Sequence, residues 1–321
     1  MQMKIWFFLG LATVLLLSAC TTTKSAKPLV STAARGERID LPNGAQLLGG
    51  RHFTVLVEGK GRDVVLIPGL STPRTVWEAT RAKLKGRYRL HVIQMRGFGD
   101  APMSDRDGPL LEPFIRELTD YIDDEIVDRN NRQKALLIGH SLGGLATMSL
   151  AARYPQGVEK AMIIDSLPFF GLLFGPDTTV ETLQPQAAAM RDALIAKGSS
   201  QVDERTLQTM SRTEAGREQI AAWARAADTG TMAQLTYDLM TTDVRPLLPG
   251  ITIPVTMLYP VDTSVMAEPR ISKMYKEAFA GAKTVTFEKI DDSRHFIMLD
   301  NPEAYAAAVE RFLQGNDGKS E

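Results

Sequence analysis

The hydrophobic pattern of the chain alternates between two periods. From Leu111, apolar residues recur at Phe114, Ile115, Leu118, Ile122 and Ile126, with Glu, Asp and Arg between them. That spacing predicts a helix with one buried stripe and one solvated face. Other apolar stretches are short and unbroken. Residues 64–67, 135–138 and 161–164 are wholly apolar, as central strands covered on both faces require. Residues 52–58, 90–95, 253–259 and 284–290 add further strands, and residues 59–62 form a turn after the first of them. Helices are expected around residues 76–84 and after Asn301, which caps a helix with Pro302 in its first turn and Tyr305, Val309, Phe312 and Leu313 facing inward. Strands alternating with helices predict an α/β fold with a mostly parallel central sheet and helices on both faces.

One stretch breaks the alternation. Residues 167–243 contain no convincing strand. They open with an apolar cluster (Leu167, Phe169, Phe170, Leu172, Leu173, Phe174) and continue as helix-like segments. An insertion here would lie over the carboxyl ends of the strands, where open α/β sheets bind ligands. It is read as a helical cap over 167–243 on a core of 37–166 and 244–315. Phe169, Phe170 and Phe174 are its expected substrate-pocket lining; the alternative is that they merely hold the cap to the core. Residues 316–321 read as a frayed tail.

The sharpest chemical signal is where the run 136–138 meets Gly139, His140, Ser141, Leu142, Gly143 and Gly144. A helix pattern follows at once, through Leu142, Leu145, Met148 and Leu150 to Tyr154 and Pro155. Strand, G-x-S-x-G and helix in that order is the context of a nucleophile elbow. The turn strains the serine backbone, and only small neighbours leave room for it. The helix N-terminus behind Ser141 offers free N–H groups to a developing oxyanion. The competing reading is a glycine-rich turn with an incidental serine.

Composition bounds the rest. The chain has 321 residues, 44% hydrophobic and 23% charged, which suits one large α/β domain or one domain with an insertion. A formal net charge of -1 gives no electrostatic case for nucleic acid. The single cysteine excludes an intramolecular disulfide. The histidines (His52, His91, His140, His295) are scattered without an H-E-x-x-H pair, so no zinc-hydrolase motif is present and no metal or cofactor is expected. The turn Gly59, Lys60, Gly61 is too short for a phosphate loop.

The N-terminus carries a separate message. Lys4 precedes an apolar run over residues 5–17, shorter than a bilayer span but suited to a signal-peptide core. It ends in Leu17, Ser18, Ala19 and Cys20, which resembles the lipobox of bacterial lipoproteins. The resemblance implies removal of residues 1–19, acylation of Cys20 and a membrane anchor carrying several acyl chains. Thr21 stands where an aspartate would signal inner-membrane retention, so the expected location is the outer membrane, facing the periplasm. Residues 20–36, rich in Thr, Ser, Ala and Lys, read as a flexible tether. The alternative is an ordinary secretory signal with Cys20 discarded or free.

A serine nucleophile needs a base, and the base needs an acid to orient it. Asp262 comes three residues after the expected strand end at Tyr259, and His295 follows the next strand. Ser141, Asp262 and His295 thus lie on loops after different strands, and in a parallel sheet such loops share one edge. At this point residues 52–313 resemble the α/β-hydrolase superfamily. The matching pieces are Ile67-Pro68-Gly69-Leu70, Arg96-Gly97-Phe98-Gly99, Gly139-His140-Ser141-Leu142-Gly143-Gly144, Ile253-Pro254-Val255 and His295-Phe296-Ile297-Met298. The resemblance implies the α/β-hydrolase fold with a catalytic triad of Ser141, Asp262 and His295, and an oxyanion hole from the N–H groups of Leu142 and Leu70. The sequence departs from the family at Pro68, where relatives usually carry histidine, and at Tyr259-Pro260-Val261, which lacks the usual glycine. Asp165 also ends a strand, and some relatives carry the acid there. Asp291 and Asp292 lie too near His295 in sequence to orient it, His140 is expected to point away from the reaction centre, and Arg96 and Asp100 are read as loop-fixing. The expected activity is hydrolysis of a small or medium apolar carboxylic ester through an acyl-enzyme. Peptidase, thioesterase or C–C hydrolase chemistry on the same triad, or a non-catalytic ligand-binding lipoprotein, are the alternatives.

Overall fold

The computed structural model describes residues 33–99, 103–104, 106, 108–129 and 132–314. The signal segment, Cys20, the tether up to residue 32, Asp100 and the tail 316–321 lie outside the described residues.

The framework is a sheet of strands β1 (Arg38–Asp40), β2 (Gln46–Gly49), β3 (Phe53–Gly59), β4 (Arg62–Ile67), β5 (Tyr88–Met95), β6 (Ala135–His140), β7 (Val158–Ile164), β8 (Val255–Val261) and β9 (Val285–Asp291). Their spatial order is β1-β2-β3-β5-β4-β6-β7-β8-β9. The hairpin strands β1, β2 and β3 run antiparallel at one edge, and every pair from β5 to β9 is parallel. This is the mostly parallel sheet expected from the sequence, with an antiparallel edge that the pattern does not reveal. β1 and β2 are too short, and β1 too polar, to show a periodicity.

Adjacent residues of the central strands face opposite sides, as strand geometry requires. Val65, Ile67 and Leu137 enter one core cluster, with residues of helices α2 (Leu111–Ile122), α3 (Leu142–Arg153) and α8 (Glu268–Ala278). Val64, Leu66, Leu136 and Ile138 enter the other, with α1 (Glu78–Leu84), α9 (Ile297–Asp300) and α10 (Pro302–Gln314). The stripe read from Leu111 onward is buried, and a π-helical turn over Asp123–Val127 keeps Ile126 and Val127 inside after α2 ends. Asn301 caps the start of α10, its side chain accepting from Ala304 N at 3.3 Å.

Residues 167–243 contain a short 3-10 helix (Phe170–Leu173) and four α-helices: α4 (Val180–Lys197), α5 (Glu204–Met210), α6 (Glu214–Ala226) and α7 (Thr229–Thr241). The sequence sets each start. Thr179, Asp203, Thr213 and Asp228 stand at the four N-caps, and each side chain accepts a first-turn N–H. The insertion leaves and returns through a narrow neck, where Phe169 bridges Asp243 and Val244 N donates to Pro168 O at 2.8 Å. It has a small core of its own, Phe169, Leu183, Ala187 and Met240. Asp238 of α7 ties it to the start of α2, accepting from Leu110 N at 2.6 Å and Leu111 N at 2.9 Å.

Candidate active site

Ser141 stands alone between the end of β6 and the start of α3. Its φ of 53° and ψ of -120° lie in a region a side chain rarely tolerates. The turn is that tight because the helix begins almost against the neighbouring strand. A Cβ on Gly143 would meet Ile67 O at 2.3 Å, and one on Gly139 would meet Gly143 O at the same distance. Ser141 N donates to Ile164 O at 3.0 Å, and Ser141 O accepts from Leu145 N at 3.0 Å. The strained residue is therefore fastened to β7 on one side and to α3 on the other.

The loop after β4 crosses directly over it. A Cβ on Gly69 would lie 3.0 Å from Ser141 Cβ. Thr72 closes that loop, donating to Gly69 O from its amide at 3.3 Å and to Leu70 O from its hydroxyl at 2.9 Å. Among the described residues, the N–H groups of Leu70 and Leu142 have no acceptor. Both belong to backbone beside Ser141, and Leu142 opens the α3 N-terminus, where the helix dipole favours negative charge.

His295 lies between β9 and α9, and its Nδ1 is 2.6 Å from Asp165 Oδ2. Asp165 follows β7 with a φ of 43°, and its other carboxylate oxygen accepts from the Tyr275 hydroxyl. Burial alone would raise the Asp165 pKa, but the His295 charge and the hydrogen bonds from His295 and Tyr275 outweigh it and hold the carboxyl below its ordinary value. Tyr275 itself is pushed well above its ordinary value by burial and by the Asp165 charge, so it stays a neutral donor.

The carboxylate assignment from the sequence is corrected here: Asp165, not Asp262, holds the histidine. The reason is register. Ile164 pairs with Leu258 across β7 and β8, so Asp165 leaves its strand level with Tyr259. β8 continues through Pro260 to Val261, pairing with β9 alone. Pro260 has no N–H to give, and β7 has already ended beside it. Asp262 therefore emerges three residues further out. There it accepts from Arg294 Nε at 2.8 Å, Ser264 N at 3.0 Å and the Ser264 hydroxyl at 2.5 Å. Burial opposes ionisation of Asp262, but the hydrogen bonds from Ser264 and Arg294 prevail and lower its pKa.

His140, expected from the sequence to point away from the reaction centre, packs against His295 instead. It is fully buried, its ring centroid is 4.6 Å from that of His295, and its Nε2 donates to His295 O at 3.0 Å. Burial first, and the His295 charge second, lower its pKa to about 3. It is thus a neutral donor that ties the chain beside Ser141 to the chain carrying His295. The signal lay in plain view as the residue before the serine, but its direction depends on the loop after β9.

The expected pocket residues divide. Phe169 is wholly buried in the small core of the insertion, with the Arg245 guanidinium 4.7 Å over its ring; it holds the cap together and is not a lining residue. Phe170 packs on the same core, and Phe174, 54% exposed, lies 5.9 Å from it. The aromatic neighbours of His295 among the described residues are His140 and Phe296. Arg96 fixes its loop, donating from Nε to Gly50 O at 3.0 Å. Among the described residues no three His, Cys, Asp or Glu side chains cluster as a metal-ligand set.

The chain is 24% identical over 262 residues to the pimeloyl-[acyl-carrier protein] methyl ester esterase of Aeromonas hydrophila, covering 79% of this chain and 96% of that protein. It is 26% identical over 270 residues to the protein of the same name from Vibrio cholerae, covering 80% and 96%. Among solved structures, a thermophilic esterase from Thermogutta terrifontis superposes with a TM-score of 0.67 at 20% identity, covering 88% of this chain and 98% of that one. MenH from S. aureus superposes with a TM-score of 0.63 at 15% identity, covering 82% and 98%. A sequence model of the Alpha/beta hydrolase family matches residues 64–308. A mostly parallel sheet, a strained serine at a strand-to-helix turn and esterase-type relatives agree: the chain is a hydrolase and belongs to the alpha/beta hydrolase family.

Proposed function

We propose that the protein is a carboxylester hydrolase that works through an acyl-enzyme. The observation that carries this reading is the 2.6 Å contact between His295 Nδ1 and Asp165 Oδ2 on the loops beside the strained Ser141. With Nδ1–H given to Asp165, the remaining ring nitrogen of His295, Nε2, is the base. It takes the Ser141 hydroxyl proton as Oγ attacks the ester carbonyl, then passes that proton to the leaving alcohol. Water repeats the sequence on the acyl-enzyme and releases the acid. Asp165 fixes the tautomer and stabilises the imidazolium, while the N–H groups of Leu142 and Leu70 receive the oxyanion. His140 cannot replace His295, because its Nε2–H is engaged and burial keeps its ring uncharged.

The substrate class in this reading is a small or medium apolar ester. Relatives named as methyl ester esterases support an ester with a small alcohol part. Exposed Leu173 and Phe174 on the cap support an apolar acyl part. The signal pattern ending at Cys20 adds a lipid anchor and a place at the bacterial cell envelope, facing the periplasm. Incubation with p-nitrophenyl esters of increasing chain length tests the chemistry. A burst of one nitrophenolate per Ser141, followed by slower turnover, is the expected record. Absence of both burst and turnover on every ester, from protein that still labels at Ser141 with a fluorophosphonate, would remove the ester reading and leave amide, thioester or C–C substrates.

A further inference from the structure

The loop that carries His295 has few bonds of its own. Ser293 closes its base, donating from its hydroxyl to Ile290 O at 2.7 Å and from its amide to Val261 O at 3.3 Å. Besides the bonds of His295 to Asp165 and His140, further fastenings come from the end of α5 and the cap turn that follows it. Phe296 N, just after the histidine, donates to Met210 O at 2.9 Å. Arg294, just before it, reaches Gln208 O with its guanidinium. Asp300 collects donors from both sides of the divide. It accepts from Arg294 N at 2.8 Å on the histidine loop, and from the Ser211 hydroxyl at 2.5 Å and Arg212 N at 3.0 Å on the cap. Asp262 does the same at the other end. Its Oδ2 holds Arg294 Nε at 2.8 Å and lies 3.6 Å from Arg212 Nε of the cap turn. Arg212 also pairs with Asp292.

We infer that Asp300 and Asp262 are positioning residues for the reaction: together they fasten the cap turn 208–213 to the loop of His295, so that the cap holds the base in place. The inference rests on the reading of His295 as that base. It gives Asp262, displaced from the histidine by strand register, a defined role one residue away from it. It also makes this end of the cap part of the active site. Losing either carboxylate frees the backbone on one or both sides of His295 while leaving Ser141, Asp165 and the oxyanion donors untouched. Misplacement of a reacting group by about 1 Å costs on the order of a hundredfold in rate, so a partial loosening should cost less than that.

The test uses the full chain with Asp300→Asn, Asp262→Asn and the double variant. Three quantities are measured: the rate of Ser141 labelling by a fluorophosphonate, kcat and KM on a p-nitrophenyl ester, and exchange of the Arg294 and Phe296 amides. Labelling and kcat should fall about 10- to 100-fold with KM within about threefold, because the base moves and the binding surface does not. The double variant should lose less than the product of the single losses, since both carboxylates act on one loop. Asp300→Glu should recover part of the rate. Faster exchange at Arg294 with wild-type labelling and kcat would overturn the proposal. So would losses that only track the fraction unfolded. Should wild type label readily yet cleave no ester, the ester reading fails while labelling rates still decide this one.

Discussion

Asp165 and Asp262 end neighbouring parallel strands, and three residues of register decide their fates. At the residue scale this yields a direct comparison. Asp165→Asn should lower kcat/KM by about 10⁴, as the tautomer and orientation of His295 are lost. Asp262→Asn should cost less than a hundredth of that, since it disturbs position and not charge at the imidazole. Steady-state kinetics on one ester checks both. Ser141→Ala or His295→Ala should each cost on the order of 10⁶ in turnover. His140 predicts a different observable. Its folded pKa of about 3 lies below the ordinary 6.5. As pH falls, the unfolded chain takes up a proton there before the folded one does, so stability is complete above about 6.5 and drains away toward 3. The linkage amounts to at most about 5 kcal/mol. His91, lowered chiefly by burial, acts with the same sign over the same range, whereas Asp165, held below its ordinary value by its partners, adds its loss only at lower pH, below the usual carboxylate range. Melting temperature should therefore fall between pH 6.5 and 4 in the wild type, and less steeply in His140→Gln.

At the scale of elements, the elbow is where local sequence and packing agree most closely. β6 ends, α3 begins, and the backbone of α3 reaches the carbonyls of Ile67 and Pro68. Gly143→Ala inserts a methyl group against backbone that cannot rotate away. A destabilisation of about 1–3 kcal/mol is expected from overpacking, read as a lower urea midpoint, together with reduced Ser141 labelling. The helices of the cap show the same legibility at their starts, where Thr179, Asp203, Thr213 and Asp228 all serve as N-caps. Their direction over the sheet is another matter. Phe169 has the composition of a pocket residue and the position of a core residue, because the neck of the insertion folds its ring under Arg245.

At the scale of the whole molecule, the insertion is tied to the rest of the fold at two separate places. Asp238 fastens the insertion near α2, and the turn 208–213 fastens it to the histidine loop. The N-terminal signal pattern adds the remaining large-scale prediction. Expressed in a bacterium, the wild type should fractionate with membranes and Cys20→Ser with the soluble fraction, as loss of acyl chains removes the anchor; immunoblotting of the two fractions checks this.

What the sequence determined by itself is whatever depends on neighbours along the chain. The unbroken apolar runs made buried strands, and the stripe from Leu111 made an amphipathic helix. The glycines around Ser141 permitted the elbow, and four polar residues started four helices. These follow from period, backbone freedom and local hydrogen bonding. Tertiary structure decided what depends on distance between segments. Which aspartate faces His295 is set by the pairing of Ile164 with Leu258. Where His140 points is set by a carbonyl 155 residues away. Whether Phe169 lines a pocket or fills a core is set by the closure of the neck. The physical reason is common to all three: a side chain's chemistry is written at its own position, but its partner is chosen by strand register and loop packing.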